Sequence, residues 1–284
     1  RLLVLANGVY GNRLADIARC LQIDHLVHDS GELAPPDLAL LEQTLAEDEA
    51  ITHVVVVHGE TTTGMLNPLA EIAAIVKGHD RLLLVDSMSA FGGVPLDVGE
   101  LGIDYIVSSA NKCIQGVPGF GFIIGRTAHL ETTRGWARSL SLDLYAQWQG
   151  METGQGKWRF TSPTHVVRAF YQALMELEEE GGIAERHERY CLNQRRLVAG
   201  MERLGFACVL PAEYQGPIIT GFYNPDHPDY DFGKFYSLLK EKGFVIYPGS
   251  VTGIDSFRIG TIGHVFPADI DRLLGAIDSS MYWV

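Results

Sequence analysis

Short, uninterrupted apolar runs alternate with helical patterns through the first 125 residues. Leu2 to Leu5 reads as a strand, a helix follows near Tyr10 to Gln22, and a strand at His25 to His28 precedes a helix from Pro36. The rhythm continues with His53 to His58, a helix after Pro68, Arg81 to Asp86, a short helical crossover, Tyr105 to Ser108 and the Gly-rich apolar run Gly119 to Gly125. Strand-sized runs separated by helices are the mark of βαβ units. Because the runs are continuous rather than alternating, they suit strands buried on both faces. The pattern therefore predicts an α/β fold with a mainly parallel sheet.

After Arg126 the pattern changes to a loop-rich stretch with Trp136, Tyr145, Trp148 and Trp158, then to long helical segments from Pro163 to about Leu204. The remainder mixes strands at Ile218 to Tyr223, Phe244 to Tyr247 and Phe257 to Ile259 with helices near Phe232 to Lys242 and Pro267 to Ser279. This predicts a large domain over 1–160, connecting helices over 161–205 and a smaller C-terminal α+β domain over 206–284. The acidic run Glu176 to Glu180 reads as a solvated helix end before Gly181 and Gly182.

The composition, 46% hydrophobic and 20% charged, is that of a folded globular chain, and the net charge of −13 comes with no Lys/Arg cluster, which argues against nucleic acid as a partner. Cys20, Cys113, Cys191 and Cys208 form no close pair, which fits a reducing cytoplasm better than a disulfide framework. No apolar run reaches the roughly 18 residues of a membrane span, so no membrane association is read. The chain opens at Arg1 directly on an apolar run, which reads as a truncated N-terminus.

Candidate chemistry follows the apolar runs, because open α/β sheets bind ligands outside the carboxyl ends of their strands. Four segments qualify: His58–Gly64, Asp86–Ser89, Ser108–Lys112 and Ser256–Thr261, of which the first three are predicted to converge on one edge. Lys112 lies just past a strand end, among small residues and beside a Gly/Pro loop, where an amine can be desolvated and nucleophilic. Taken alone, an ordinary exposed lysine is the simpler reading. Asp86 ends the preceding strand run and is a candidate partner for a pyridinium nitrogen, or else a turn cap. The two together have the layout of a pyridoxal 5'-phosphate (PLP) site. No GxSxG elbow, HExxH pair or Walker loop is present, Gly119-Phe-Gly121 lacks the third glycine of a dinucleotide fingerprint, and His25/His28 is a lone HxxH, so no metal site is read.

The segments HGETTTGMLNP (58–68), VDSMSAFGG (85–93), SSANKCIQGVPGFGF (108–122), SLSLDLYAQW (139–148), KWRFTSPTH (157–165) and FRIGTIG (257–263) resemble the 2-aminoethylphosphonate:pyruvate aminotransferases of the class V, fold-type I PLP-dependent family. The resemblance covers essentially the whole chain. It implies a fold-type I PLP-binding large domain, a homodimer, and a role in phosphonate catabolism. The implied reaction moves the amino group of 2-aminoethylphosphonate to pyruvate, giving phosphonoacetaldehyde and L-alanine.

By that resemblance Lys112 carries the Schiff base and moves the proton, and Asp86 pairs with the pyridine nitrogen. Thr61 contacts the ring oxygen, Asn111 lies near the cofactor phosphate, and Thr161 reaches the phosphate of the neighbouring subunit's cofactor. Arg258 binds the substrate's phosphonate or carboxylate, a task suited to a planar guanidinium. Read without the resemblance, Thr61 to Thr63 is a turn bonded to its own backbone, Thr161 a helix cap, and Arg258 a surface strand residue. The resemblance also implies that the family's Gly/Ser-rich phosphate-binding loop would lie upstream of the segments matched here. Two rivals stay open: another class V aminotransferase of the alanine–glyoxylate or serine–pyruvate kind, and an inactive fragment serving only as a dimerisation module.

Overall fold

The computed structural model describes residues 1–284. Its first half runs β1 (Leu2–Ala6), α1 (Val9–Cys20), β2 (His25–Asp29), α2 (Leu38–Glu47), β3 (His53–Val57), a small hairpin of β4 (Gly59–Glu60) and β5 (Met65–Leu66), α3 (Leu69–Gly78), β6 (Leu82–Asp86), β7 (Tyr105–Ser109) and β8 (Gly121–Gly125). Six of the strands form one sheet in the order β2-β1-β3-β6-β7-β8. The neighbours from β2 to β7 pair in parallel. The α/β architecture with a mainly parallel sheet is thus as the apolar runs predict.

The runs are continuous because successive side chains enter different cores. Leu3, Leu5, Val54, Val56, Leu83 and Val85 pack with Leu41 and Leu45 of α2 and with Ile72 and Val76 of α3, whereas Val4 and Val55 face Ala15 of α1. Burying each such side chain contributes roughly 1.5–3 kcal/mol. The α2 start is fixed by Asp37, whose carboxylate accepts from the Ala39 and Leu40 amides.

Two expectations about the large sheet are corrected. The connection from β6 to β7 contains no helix: residues 87–104 are turns, held by the buried Asp104, which pairs with Lys77 Nζ at 2.7 Å and accepts from the Leu83 amide at 2.8 Å. The run Gly119–Gly125 becomes a strand only from Gly121, and it pairs antiparallel to β7. Its residues are largely exposed, so an apolar run here did not mean burial on both faces.

The chain continues through α4 (Thr127–Leu130), a 3-10 turn at Glu131–Thr133, α5 (Leu144–Thr153), α6 (Thr164–Glu179), α7 (Gly182–Arg203), β9 (Ile219–Tyr223), α8 (Phe232–Glu241), β10 (Tyr247–Pro248), β11 (Ser256–Gly260) and α9 (Pro267–Asp278). Strands β10-β11-β9 form an antiparallel sheet. Its core unites Phe222 and Phe257 with Leu197 and Met201 of α7, Phe235 of α8, Ile277 of α9 and Trp283. The strand expected at Phe244–Tyr247 is displaced to Tyr247–Pro248. Glu180 is not the solvated helix end expected from the acidic run, because it pairs with Arg186 and Arg189 at 2.7 Å each. No helix is long and apolar enough to cross a membrane.

Candidate active site

β3, β6 and β7 lie side by side, with Val57 opposite Asp86 and Asp86 opposite Val107. The segments that leave them therefore start from one edge, as the sequence predicts for His58–Gly64, Asp86–Ser89 and Ser108–Lys112. Asp86 is the last residue of β6 and half-buried. Its Oδ1 accepts from the Met88 amide at 2.9 Å, an Asx turn, while its other oxygen makes no hydrogen bond within the chain. Burial pushes its pKa above the ordinary carboxylate value, against the Met88 bond and the field of Arg13.

Lys112 sits in a tight loop after β7, closed by Gly116 N–H donating to the Ala110 carbonyl and Gln115 N–H donating to the Lys112 carbonyl. The neighbouring Cys113 anchors this loop twice. Its thiol donates to the Ser89 carbonyl at 3.1 Å, and its own carbonyl accepts from Arg186 Nη1 at 2.7 Å. These bonds tie the lysine loop to the Asp86 loop and to α7. Burial pushes the Cys113 thiol up to about 12, so it is a structural group and not a nucleophile. Lys112 itself is exposed, which corrects the expected desolvation: position is supplied by the loop, but a dry environment is not. Asn111, half-buried, precedes it.

Thr61 opens the turn of the β4–β5 hairpin. Gly64 closes it with φ +93°, and a Cβ there would lie 2.2 Å from the Ile219 carbonyl oxygen, so only glycine fits. The Thr61 carbonyl accepts from Arg258 Nη1 at 2.6 Å, and Arg258 Nε donates to the Pro248 carbonyl at 3.2 Å. The C-terminal sheet thereby brings Arg258 to the edge of the large sheet across 197 residues of sequence. Arg258 takes part in none of the chain's ion pairs. Burial lowers its pKa, opposed by Tyr10, Tyr247 and Glu60, so it is a half-buried cation with backbone acceptors and no acid of its own. That is the chemistry of an anion-binding group.

The sequence left several groups here unassigned. His58 is 4% exposed, with Nδ1 3.0 Å from Ser87 Oγ, and burial lowers its pKa to about 4. Thr63 Oγ1 and Ser109 Oγ are buried without a partner. Glu60 is fully buried and accepts from four donors. A polar residue at the end of an apolar run was the available signal for all of them.

Thr161 is exposed and precedes α6; Pro163 caps that helix without any side-chain bond, so Thr161 is not its cap. Within one chain it is not joined to the other candidate residues. Exposed apolar groups, Trp136, Leu140, Leu142 and Phe160, mark the segment leading to it.

The residues present suit PLP. A carboxylate with a free oxygen can meet a ring nitrogen, and a primary amine can meet an aldehyde. The amides at the start of α1 offer no phosphate site, because Glu60 already occupies them.

This arrangement is that of a fold-type I aminotransferase, and the model of the class V aminotransferases matches residues 14–258. The chain belongs to that family. It is 60% identical over 283 residues to a 2-aminoethylphosphonate–pyruvate transaminase of Vibrio vulnificus, a match spanning 100% of this chain and 77% of the relative. It is 58% identical, with the same coverage, to one from Klebsiella pneumoniae. Among solved structures it resembles an alanine–glyoxylate aminotransferase from Nostoc with a TM-score of 0.87 at 24% identity, covering 99% of this chain and 74% of that one. A pyridoxamine–pyruvate aminotransferase from Mesorhizobium loti gives a TM-score of 0.88 at 23% identity, covering 99% and 72%. These two likenesses show the fold.

Proposed function

We propose that this chain is a PLP-dependent transaminase that moves the amino group of 2-aminoethylphosphonate to pyruvate, giving phosphonoacetaldehyde and L-alanine. The observation that carries the reading is Arg258, a half-buried cation without an acid partner, delivered by the small sheet to the same edge as Asp86 and Lys112. The 60% identity to a transaminase of that name supports the choice of substrate over a carboxylate-only amino donor.

PLP, when bound, supplies an aldehyde that accepts the amino group and a ring that withdraws electrons from the substrate carbon. Lys112 Nζ holds the cofactor and then moves the proton at the substrate carbon bearing nitrogen. Asp86 keeps the ring nitrogen protonated, and its burial strengthens that pairing once both charges are present. Thr61 would contact the ring oxygen and Asn111 would help hold the phosphate. Arg258 receives the phosphonate in one half-reaction and the pyruvate carboxylate in the other. In this reading residues 1–160 supply the cofactor groups of their own subunit, 161–205 connect the domains and carry Thr161, and 206–284 supply Arg258. The enzyme works as a cytoplasmic homodimer in which Thr161, exposed and unbonded, reaches the neighbouring subunit's cofactor phosphate. The test is turnover of 2-aminoethylphosphonate beside serine with pyruvate as acceptor: preference for the phosphonate supports the reading, and preference for serine overturns it.

A further inference from the structure

Glu60 stands in the same hairpin as Thr61, is fully buried, and has no part in the function proposed above. Its Oε2 accepts from the Tyr10 amide at 3.1 Å and the Gly11 amide at 3.2 Å, both at the N-terminus of α1. Its Oε1 accepts from the Thr62 amide at 3.1 Å and from Thr62 Oγ1 at 2.6 Å. The Thr62 hydroxyl in turn accepts from the Val9 amide at 3.0 Å. A carboxylate held this way satisfies the orphan donors of a helix start and meets the positive end of its dipole. The backbone around it is shaped to admit it. Gly8 has an ordinary extended conformation with φ 162°, yet a Cβ there would lie 2.5 Å from Glu60 Cδ, so the glycine is required for space and not for conformation.

The consequence falls on the residue between Glu60 and Thr62. With both flanking residues clasped to α1, the Thr61 carbonyl has little freedom, and this is the acceptor that receives Arg258 Nη1 at 2.6 Å. The other side of the turn is held independently, by Gly216 N–H donating to the Gly64 carbonyl at 2.7 Å and Ser250 Oγ donating to the Thr62 carbonyl at 3.2 Å. The guanidinium is bonded to no carboxylate and feels Glu60 only through its field, so its direction depends on two backbone oxygens, one of which Glu60 fixes.

We propose that Glu60 is a positioning residue for Arg258: by clasping the hairpin to the start of α1 it sets the Thr61 carbonyl, and through it the orientation of the guanidinium toward the anionic end of the substrate. This rests on the assignment of Arg258 to the substrate anion.

The experiment uses the PLP-loaded enzyme and the variants Glu60→Gln, Thr62→Val and Arg258→Ala, with Glu60→Gln also made in the Arg258→Ala background. Loss of one charge-assisted hydrogen bond's worth of anion recognition predicts a rise of about tenfold or more in KM for 2-aminoethylphosphonate in Glu60→Gln. The inhibition constant for phosphonoacetate, which carries the phosphonate but no amine, should rise in parallel, and kcat should fall by less. Thr62→Val removes only the hydroxyl from the clasp, keeps the shape, and should show the same split at smaller size. In the Arg258→Ala background Glu60→Gln should add nothing to KM. If Arg258→Ala raises KM while folded Glu60→Gln and Thr62→Val leave KM and the phosphonoacetate constant unchanged, the positioning role is wrong and the role of Arg258 stands. Additive effects in the double variant would make Glu60 a general structural residue and also overturn the proposal. An Arg258→Ala enzyme with unchanged KM would instead remove the substrate assignment on which it rests.

Discussion

Replacing Arg258 tests anion recognition where the structure specifies the change. The side chain spends Nη1 on the Thr61 carbonyl at 2.6 Å and Nε on the Pro248 carbonyl at 3.2 Å, which leaves the remaining guanidinium donors for a ligand. Two charge-assisted bonds to a phosphonate are worth about 1.5–3 kcal/mol each. The site is only half-buried, so solvent recovers part of this, and the lower end applies: about 3 kcal/mol, or roughly 150-fold in kcat/KM. Arg258→Ala should show that loss for 2-aminoethylphosphonate in steady-state assays of pyruvate consumption, mostly through KM. Absorbance of the bound cofactor should change little, because no cofactor role is assigned to this residue. Arg258→Lys keeps the charge but not the fork and cannot satisfy both carbonyls and the ligand, so it should recover only part of the activity. A Lys variant equal to wild type, or an Ala variant within about threefold of it, would refute direct recognition of the anion by this group.

Asp86→Asn should remove most activity while changing the melting temperature of the cofactor-free protein little, since burial already disfavours the ionised carboxylate there. If Asp86 meets the ring nitrogen as proposed, the same change leaves that partly buried charge unpaired in the loaded enzyme, at a cost of roughly 3 kcal/mol or less, and an Asn variant that retains PLP affinity and turnover would leave Asp86 as a turn residue only. His58 predicts an acid limb of stability. Its folded-state pKa is depressed from 6.5 to about 4, so between these values the unfolded chain binds a proton that the native one does not, and stability present above pH 6.5 is lost as pH falls toward 4. The linkage is worth about 3 kcal/mol over that window. Melting curves of wild type and His58→Gln from pH 7 to pH 4.5 should therefore converge at low pH, and parallel curves would show that His58 is not the titrating group.

The parallel strands were legible because burial on both faces writes itself as uninterrupted apolar residues: His53–Val57 and Leu82–Asp86 lie where the runs place them. Direction and exposure are not written that way. The run ending at Gly125 has the same apolar content, yet β8 is an antiparallel edge strand with most residues exposed. The small sheet was displaced at Tyr247–Pro248, since so short a strand is set by its pairing with Arg258 and Phe257 more than by its own residues. Asp86, Thr61 and Lys112 could be found as polar residues at strand ends, a local signal. Glu60 stood in the same motif unassigned, because its meaning lies in donors at Tyr10 and Gly11, some 50 residues away. Gly8, where a Cβ would lie 2.5 Å from Glu60 Cδ, is the counterpart of that pairing at the start of α1. Lys112 is exposed despite its neighbours for a related reason: small residues permit close packing, but only tertiary contacts exclude water.

Everything proposed for the reaction passes through Lys112, as the residue that would hold PLP and transfer the amino group. The most direct measurement is an absorbance scan of the PLP-loaded protein, before and after 2-aminoethylphosphonate and again after pyruvate, followed by borohydride reduction and peptide mapping. The long-wavelength band of the bound cofactor should disappear with the phosphonate and return with pyruvate. The reduced cofactor should be found on the peptide containing Lys112, and Lys112→Ala should abolish both signals. A band indifferent to 2-aminoethylphosphonate, or cofactor mapped to Lys157 or Lys234, would contradict it.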